Sequence, residues 1–360
     1  MTSVDPDFWR GRRVLLTGHT GFKGAWLSLW LQLLGARVTG FSAGVPTQPS
    51  LFELARVGEG MESVEGDVVD HAAVQAALAR CAPEIVIHMA AQSLVRRSFA
   101  EPVRTYATNV MGTVNVLDAV RIGGEGVRVV VSVTSDKCYA NDGSGRALGE
   151  GDALGGADPY SSSKGCAELV TAAFRGSFFS EWAGSGEPAP RLASARAGNV
   201  IGGGDWGEGR LMADIMRAAL ASEEVRVRNP DSVRPWQHVL NPLSGYLVLA
   251  QALWDSREAA RAWNFGPAER DARPVSWIVE RAGELWPGGL EWRFDEGAHP
   301  PEARCLVLDS SLARARLGWR PLLGLDAGME ATVAWYRQLH GGADMRAVTV
   351  GQIEALRGAV

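Results

Sequence analysis

Short β-branched runs alternate along the first half of the chain with longer segments whose apolar positions recur at helical spacing. Val14 to Leu16 reads as a buried strand. Phe22 to Leu34 reads as the helix that follows, with Trp26, Trp30 and Leu33 at helical intervals. Arg37 to Phe41 and Glu84 to His88 read as further strands. Arg128 to Thr134 is valine-rich with little polar alternation, as expected of a strand buried on both faces. Glu101 to Val120 predicts one long helix, with Pro102 tolerated in its first turn. Tyr160 to Phe179 predicts another helix, and Leu192 to Ala197 a sixth strand. The alternation predicts a doubly wound parallel α/β sheet covered by helices. Beyond Asn199 the pattern loosens into shorter elements between Gly- and Pro-rich turns. The expected organisation is a sheet domain over mainly 1–198 and a smaller C-terminal α/β region over mainly 199–360, with some segments returning to the first domain.

Composition narrows the class without changing this picture. A chain of 360 residues with 46% hydrophobic and 21% charged residues is ordinary for a globular protein. A formal net charge of −5 argues against nucleic acid as a partner, since a basic footprint is then usual. Cys81, Cys138, Cys166 and Cys305 form no C-x-x-C pair, so no metal site is expected and reduced thiols in the cytoplasm are. The N-terminus lacks the apolar core of a signal peptide. No apolar stretch is long enough to suggest a membrane span.

Candidate chemistry begins with Thr17-Gly18-His19-Thr20-Gly21-Phe22-Lys23-Gly24, which joins the first strand to the first helix. Gly18 suits a tight turn, Gly21 lets a pyrophosphate approach the backbone, and Gly24 lets helix and sheet pack closely. The helix N-terminus offers N–H donors to phosphates. His19, Phe22 and Lys23 are the loop side chains placed to touch a dinucleotide. The second strand ends in Phe41-Ser42-Ala43, with neither an acid for the ribose of NAD nor an Arg for NADP, so this feature leaves the choice open. Asp67 is a candidate for the adenine amino group or, equally, a turn cap.

Tyr160 and Lys164 form a Y-x-x-x-K pair on one helix face. Lys164 can lower the Tyr160 pKa and make the phenol a proton acceptor. The valine-rich strand runs into Thr134-Ser135-Asp136-Lys137, at the strand end where parallel sheets collect chemistry. Ser135 is the natural hydroxyl partner for Tyr160. Arg210, Arg234 and Arg304 are candidates for phosphate contact, because guanidinium forks match phosphate oxygens.

The glycine loop, Met89-Ala90-Ala91-Gln92, Asn109 and the Ser/Tyr/Lys set, in this order, resemble the extended short-chain dehydrogenase/reductase superfamily over nearly the whole chain. The segments T-G-H-T-G-F-K-G (17–24), T-S-D-K-C-Y (134–139), D-P-Y-S-S-S-K-G-C-A-E-L (158–169), R-A-G-N-V-I-G-G-G-D-W (196–206) and R-P-W-Q-H-V (234–239) are more specific. Together they resemble the CDP-glucose 4,6-dehydratases, a bacterial family of deoxysugar biosynthesis. The resemblance implies a Rossmann-type cofactor domain and NAD as cofactor, with NADP not set aside. It implies CDP-glucose as substrate, oxidised at C4, dehydrated across C5 and C6, and reduced at C6. It places Tyr160, Ser135 and Lys164 at the redox step and Asp136 and Lys137 at the elimination. Val68, Ala90, Ala91 and Asn109 then join the cofactor site, and Gln92 and Asn199 the substrate site. It also implies a homodimer or homotetramer built through the helices 101–120 and 160–179. The competing readings are a related epimerase or reductase, another nucleotide such as dTDP or GDP, and a catalytically silent NAD(P)-binding regulator.

Overall fold

The computed structural model describes residues 3–141, 143–180, 189–297 and 306–357. Along the first strand, Val14 and Leu16 join one apolar core and Leu15 joins another. Ile85 and Ile87 against Val86, and Val129 and Val131 against Val130, repeat the division. Side chains of a strand alternate between faces, so an uninterrupted apolar run needs a cover on both sides.

The strands are β1 (Arg13–Thr17), β2 (Arg37–Ser42), β3 (Glu62–Glu65), β4 (Ile85–His88), β5 (Val129–Val133), β6 (Arg191–Arg196) and β7 (Ala262–Asn264). They form a seven-stranded sheet in the order β3-β2-β1-β4-β5-β6-β7. Every pairing in it is parallel. The order reverses between β1 and β4, the switch point where such sheets open a crevice at their carboxyl ends. Helices α1 (Phe22–Leu33) and α6 (Leu240–Asp255) cover one face. Helix α2 (His71–Cys81), the later part of α3 (102–123) and α4 (Pro159–Ser177) cover the other.

The expected helix from Glu101 to Val120 is present with a difference. It starts as Pro102–Tyr106, passes through a π-turn at Ala107–Met111 and continues as Gly112–Gly123. A π-turn inserts one residue and rotates side chains out of helical register. Here it turns Asn109 inward, to 1% exposure.

The later residues build short parallel or antiparallel pairs: Val200–Ile201 with Gln237–His238, Val225–Val227 with Trp292–Phe294, and Val233–Pro235 with Ala272–Pro274. Helix α5 (Leu211–Ala221) lies among them, whereas α6 and β7 pack back on the main sheet. No helix among the described residues is long and apolar enough to cross a membrane.

Candidate active site

The carboxyl ends of the strands open into a cleft of about 680 Å³. Gly18, at φ +78°, starts its wall: a Cβ there would lie 2.8 Å from Ala90 N. Gly24 has no room for a Cβ either, which would lie 2.0 Å from Gly18 O. Loop, helix and the β4 loop therefore touch backbone to backbone. Gly21 caps α1 without a side-chain hydrogen bond, and its own Cβ would meet only Gly18 O at 3.4 Å. The first N–H groups of α1 lack intrahelical acceptors. They form an anion cradle beside the cleft that Gly21, Phe22, Lys23 and Gly24 line.

Two loop side chains behave differently from the expectation that both face a cofactor. The His19 ring turns under the loop, 1% exposed, with Nδ1 2.9 Å from Ser42 Oγ and Nε2 2.7 Å from Ser63 Oγ. Burial lowers it to about 4, so it is a neutral brace, and it is not among the residues lining the cleft. A Cβ on Gly40 would strike this ring at 2.2 Å. Ser42, standing where an acid would read a ribose, is thereby committed to His19. Lys23 does line the cleft, but its Nζ donates to Tyr246 Oη at 2.8 Å across to α6. Burial, then Lys164 and Arg210, lower it to about 7.

The β4 loop is held by a buried polar chain. Thr17 Oγ1 accepts from Met89 N and Ala90 N, both at 3.1 Å, and stands 2.7 Å from His88 Nδ1. Having taken two N–H groups, the hydroxyl donates to His88 Nδ1, and the proton of the neutral ring is left on Nε2. Nε2 meets Thr113 Oγ1 at 3.2 Å, and Thr113 donates to Asn109 O at 2.7 Å. The Asn109 side chain accepts from Gln92 N at 2.8 Å and donates to Ser163 Oγ at 2.8 Å. Asn109 thus positions the loop from behind the cleft, which Ala90, Ala91 and Gln92 line. The Gln92 amide is spent on Leu94 in its own loop and on Thr105 of α3. Val68 and Asp67 line the cleft as well. Asp67 caps its turn through Val69 N at 3.0 Å and pairs with Arg104, which leaves each carboxylate oxygen a lone pair for a ligand donor.

The chemistry-bearing residues meet in the middle of the cleft. Ser135 opens a 3₁₀ turn at Asp136–Cys138, accepting from Lys137 N at 3.2 Å and donating to Asp136 Oδ1 at 2.9 Å. Asp158 caps α4 through Ser161 N at 2.9 Å, which sets Tyr160 in its first turn with Lys164 one turn on. Burial raises the Tyr160 phenol to about 12, while its hydrogen bond to Ser135 and the Arg210 charge pull the other way. Burial brings the Lys164 ammonium, one helical turn on from Tyr160, down to about 8. Asp136, 3% exposed, is raised by burial against the opposing charge of Lys137. Lys137 is half-buried and lines the cleft.

Asn199, Arg210 and Arg234 line the same cleft. Arg210 is held by Asp205 at 2.9 Å and Ser93 at 2.6 Å. Trp206 and Trp236 line the cleft too. Arg96 and Arg228 also line it, without any motif to mark them. Arg304 and Cys305 lie outside the described residues. Sequence reading also missed Glu168, although it follows Lys164 at the same four-residue interval that links Lys164 to Tyr160.

Comparison with known proteins gives a consistent picture. The GDP-mannose 4,6 dehydratase family model matches residues 15–253. A CDP-glucose 4,6-dehydratase of Salmonella typhimurium is 50% identical over 343 residues, 95% of this chain and 95% of that protein. A dTDP-glucose 4,6-dehydratase of Streptomyces griseus is 28% identical over 256 residues, 70% of this chain and 71% of its own. The crystal structure of a UDP-glucose-4-epimerase from Stenotrophomonas maltophila, with bound NAD and formylated UDP-arabinopyranose, superposes with a TM-score of 0.78. It is 24% identical and covers 92% of this chain and 100% of its own, a likeness of fold.

Proposed function

The chain belongs to the GDP-mannose 4,6 dehydratase family, and from that premise we propose how its cleft acts on a nucleotide sugar. It is an NAD-dependent hydro-lyase that converts CDP-glucose to CDP-4-keto-6-deoxyglucose and water. The observation that carries this reading is the 50% identity to a CDP-glucose 4,6-dehydratase across 95% of both chains.

The cradle fits a dinucleotide: an uncapped helix N-terminus, and glycines whose Cβ atoms would collide with backbone on one side of the loop and with almost nothing at Gly21. Gly18, Gly21, Phe22, Lys23 and Gly24 would hold the pyrophosphate, Asp67 and Val68 the adenosine end, and Ala90, Ala91 and Lys164 the nicotinamide end. Bound there, NAD would supply a positive ring that favours the phenolate of Tyr160 and a reversible acceptor for the hydride that passes from C4 to C6.

The protein's own groups handle the protons. Tyr160 takes the C4 hydroxyl proton, and Ser135 keeps the phenol aligned. The 4-keto group then acidifies C5–H. Asp136, raised by burial, retains a proton more readily than an exposed carboxyl and can give it to the departing C6 hydroxyl. Lys137 is the base that takes the C5 proton, or it stays a cation that stabilises the enolate while Asp136 takes the C5 proton and passes it to the departing C6 hydroxyl. Asn199, Arg210 and Arg234 take the diphosphate. A test is incubation with NAD and a panel of nucleotide-glucoses, read by the 4-keto chromophore in alkali. CDP-glucose should turn over fastest, and no chromophore with any member sinks the reading.

The assembly is a homodimer or homotetramer whose dimer contact is the apolar face of α3 and α4. Val103 is 81% exposed, Met111 51% and Leu169 59%, an unusual set for a solvated surface. Light scattering on Val103→Asp/Leu169→Asp should give a smaller particle than the parent protein. The free thiols Cys81, Cys138 and Cys166 fit a reducing, cytoplasmic setting.

A further inference from the structure

Glu168 is an acid that the mechanism above does not use, yet it is densely bonded and borders the reacting groups. It follows Tyr160 and Lys164 at successive four-residue steps on α4, so all three side chains share one helix face. Its side chain is 3% exposed. Oε1 accepts the Thr134 hydroxyl. Oε2 accepts from Ser194 Oγ at 2.7 Å and from Arg196 Nη2 at 2.6 Å. Arg196, on β6, also donates to the Tyr139 hydroxyl at 2.6 Å, and Tyr139 donates to Asn264 Oδ1 at 2.8 Å.

Thr134 and Tyr139 flank the stretch that carries Ser135, Asp136 and Lys137. The buried ion pair therefore grips both ends of the acid/base turn and ties it to the helix that carries Tyr160 and Lys164. A buried ion pair is a poor source of stability compared with apolar packing of the same volume. Its use here points to placement and charge.

The surroundings of Lys164 say which charge. Lys23 on α1 repels it. His88 on β4 is lowered to about 3 by burial and is neutral, and burial pushes the Cys138 thiol well above its ordinary range, so it is neutral too. Glu168 is left as the anion acting on Lys164, and it opposes the effect of burial on that ammonium.

We propose that Glu168 is a positioning residue for the dehydration: it tethers the Ser135–Lys137 turn to α4 through Thr134 and Arg196, and it is the counter-charge of the Lys164 ammonium. This deepens the dehydratase reading and rests on it. The experiment is a pair of pH profiles of kcat with CDP-glucose and saturating NAD, for Glu168→Gln and Thr134→Val beside the parent protein. Glu168→Gln should lower kcat at least about tenfold, leave KM for CDP-glucose within about twofold, and move the alkaline limb down by about one pH unit. Thr134→Val breaks the tether but keeps the carboxylate, so kcat should fall while the limb stays in place. An alkaline limb unmoved in Glu168→Gln overturns the counter-charge role, and an unchanged kcat in Thr134→Val overturns the tether. Should Glu168→Gln fail to fold because Arg196 is left unpaired, Glu168→Gln/Arg196→Met removes both charges and should show a smaller downward shift of the same limb. A limb unmoved in that double variant is equally fatal to the counter-charge role. A parent protein inactive on every nucleotide-glucose refutes the dehydratase reading instead, so the two failures are distinct.

Discussion

Lys164→Met should make the protein more stable at neutral pH while abolishing most of its activity. Burial holds the Lys164 ammonium at about 8 instead of its ordinary 10.5. Each pH unit between those values corresponds to about 1.4 kcal/mol, so the folded state carries a penalty of about 3 kcal/mol for a charged Lys164. The unfolded chain binds this proton more tightly than the folded one. The penalty is therefore complete below about 8 and disappears as pH rises from there to 10.5. Methionine keeps the unbranched volume and removes the charge. Guanidinium unfolding of both proteins between pH 7 and 10.5 reads the effect, with the titration of Lys23, which Lys164 also lowers, removed by making the comparison in a Lys23→Met background. The variant should lead by about 3 kcal/mol at pH 7, and the gap should close towards the upper end. A gap that does not change with pH, or a variant less stable at pH 7, would refute the account of Lys164 as a buried charge retained for function. Turnover should drop by at least about 100-fold, because the cation beside the nicotinamide end is gone.

Tyr160→Phe keeps the ring and removes the proton acceptor, so turnover should fall by at least about two orders of magnitude with the fold intact; near-normal turnover contradicts its assignment. In Lys137→Met, NADH should still form in the first half-reaction. Loss of solvent exchange at C5 identifies Lys137 as the base, and retained exchange at a near-normal rate leaves it as the cation that stabilises the enolate. Gly24→Ala places a Cβ 2.0 Å from Gly18 O, a contact only backbone movement can relieve. NAD affinity measured by calorimetry should weaken at least about tenfold, and parent-like binding would show that the loop tolerates a shift in the cradle.

The sheet was legible because its strands carry their own signature. A run such as Val129–Val133, apolar on both faces, has no stable place except between two layers of helices. The glycine loop was legible for a local reason too, since the collision at Gly24 is with Gly18 O inside one strand–turn–helix, although the one at Gly18 is with Ala90 from the β4 loop. The spacing of Tyr160, Lys164 and Glu168 is helical arithmetic, although Glu168 passed unread because an acid one turn beyond a lysine is common on solvated helices.

What the chain could not announce depended on partners distant in sequence. Asn109 faces inward because a π-turn rotates it, and that turn is braced by Thr113 against His88, a residue of another strand. His19 reads as a loop side chain facing a ligand, but Ser42 and Ser63 from the two neighbouring strands draw its ring beneath the loop. The pull of Arg210 on the Tyr160 phenol comes from a distant part of the sequence, and no spacing encodes it. Periodicity and short motifs are local and survive in one dimension. The proton affinity and direction of a buried side chain are set by whatever the finished fold packs around it, and only the tertiary structure supplies that.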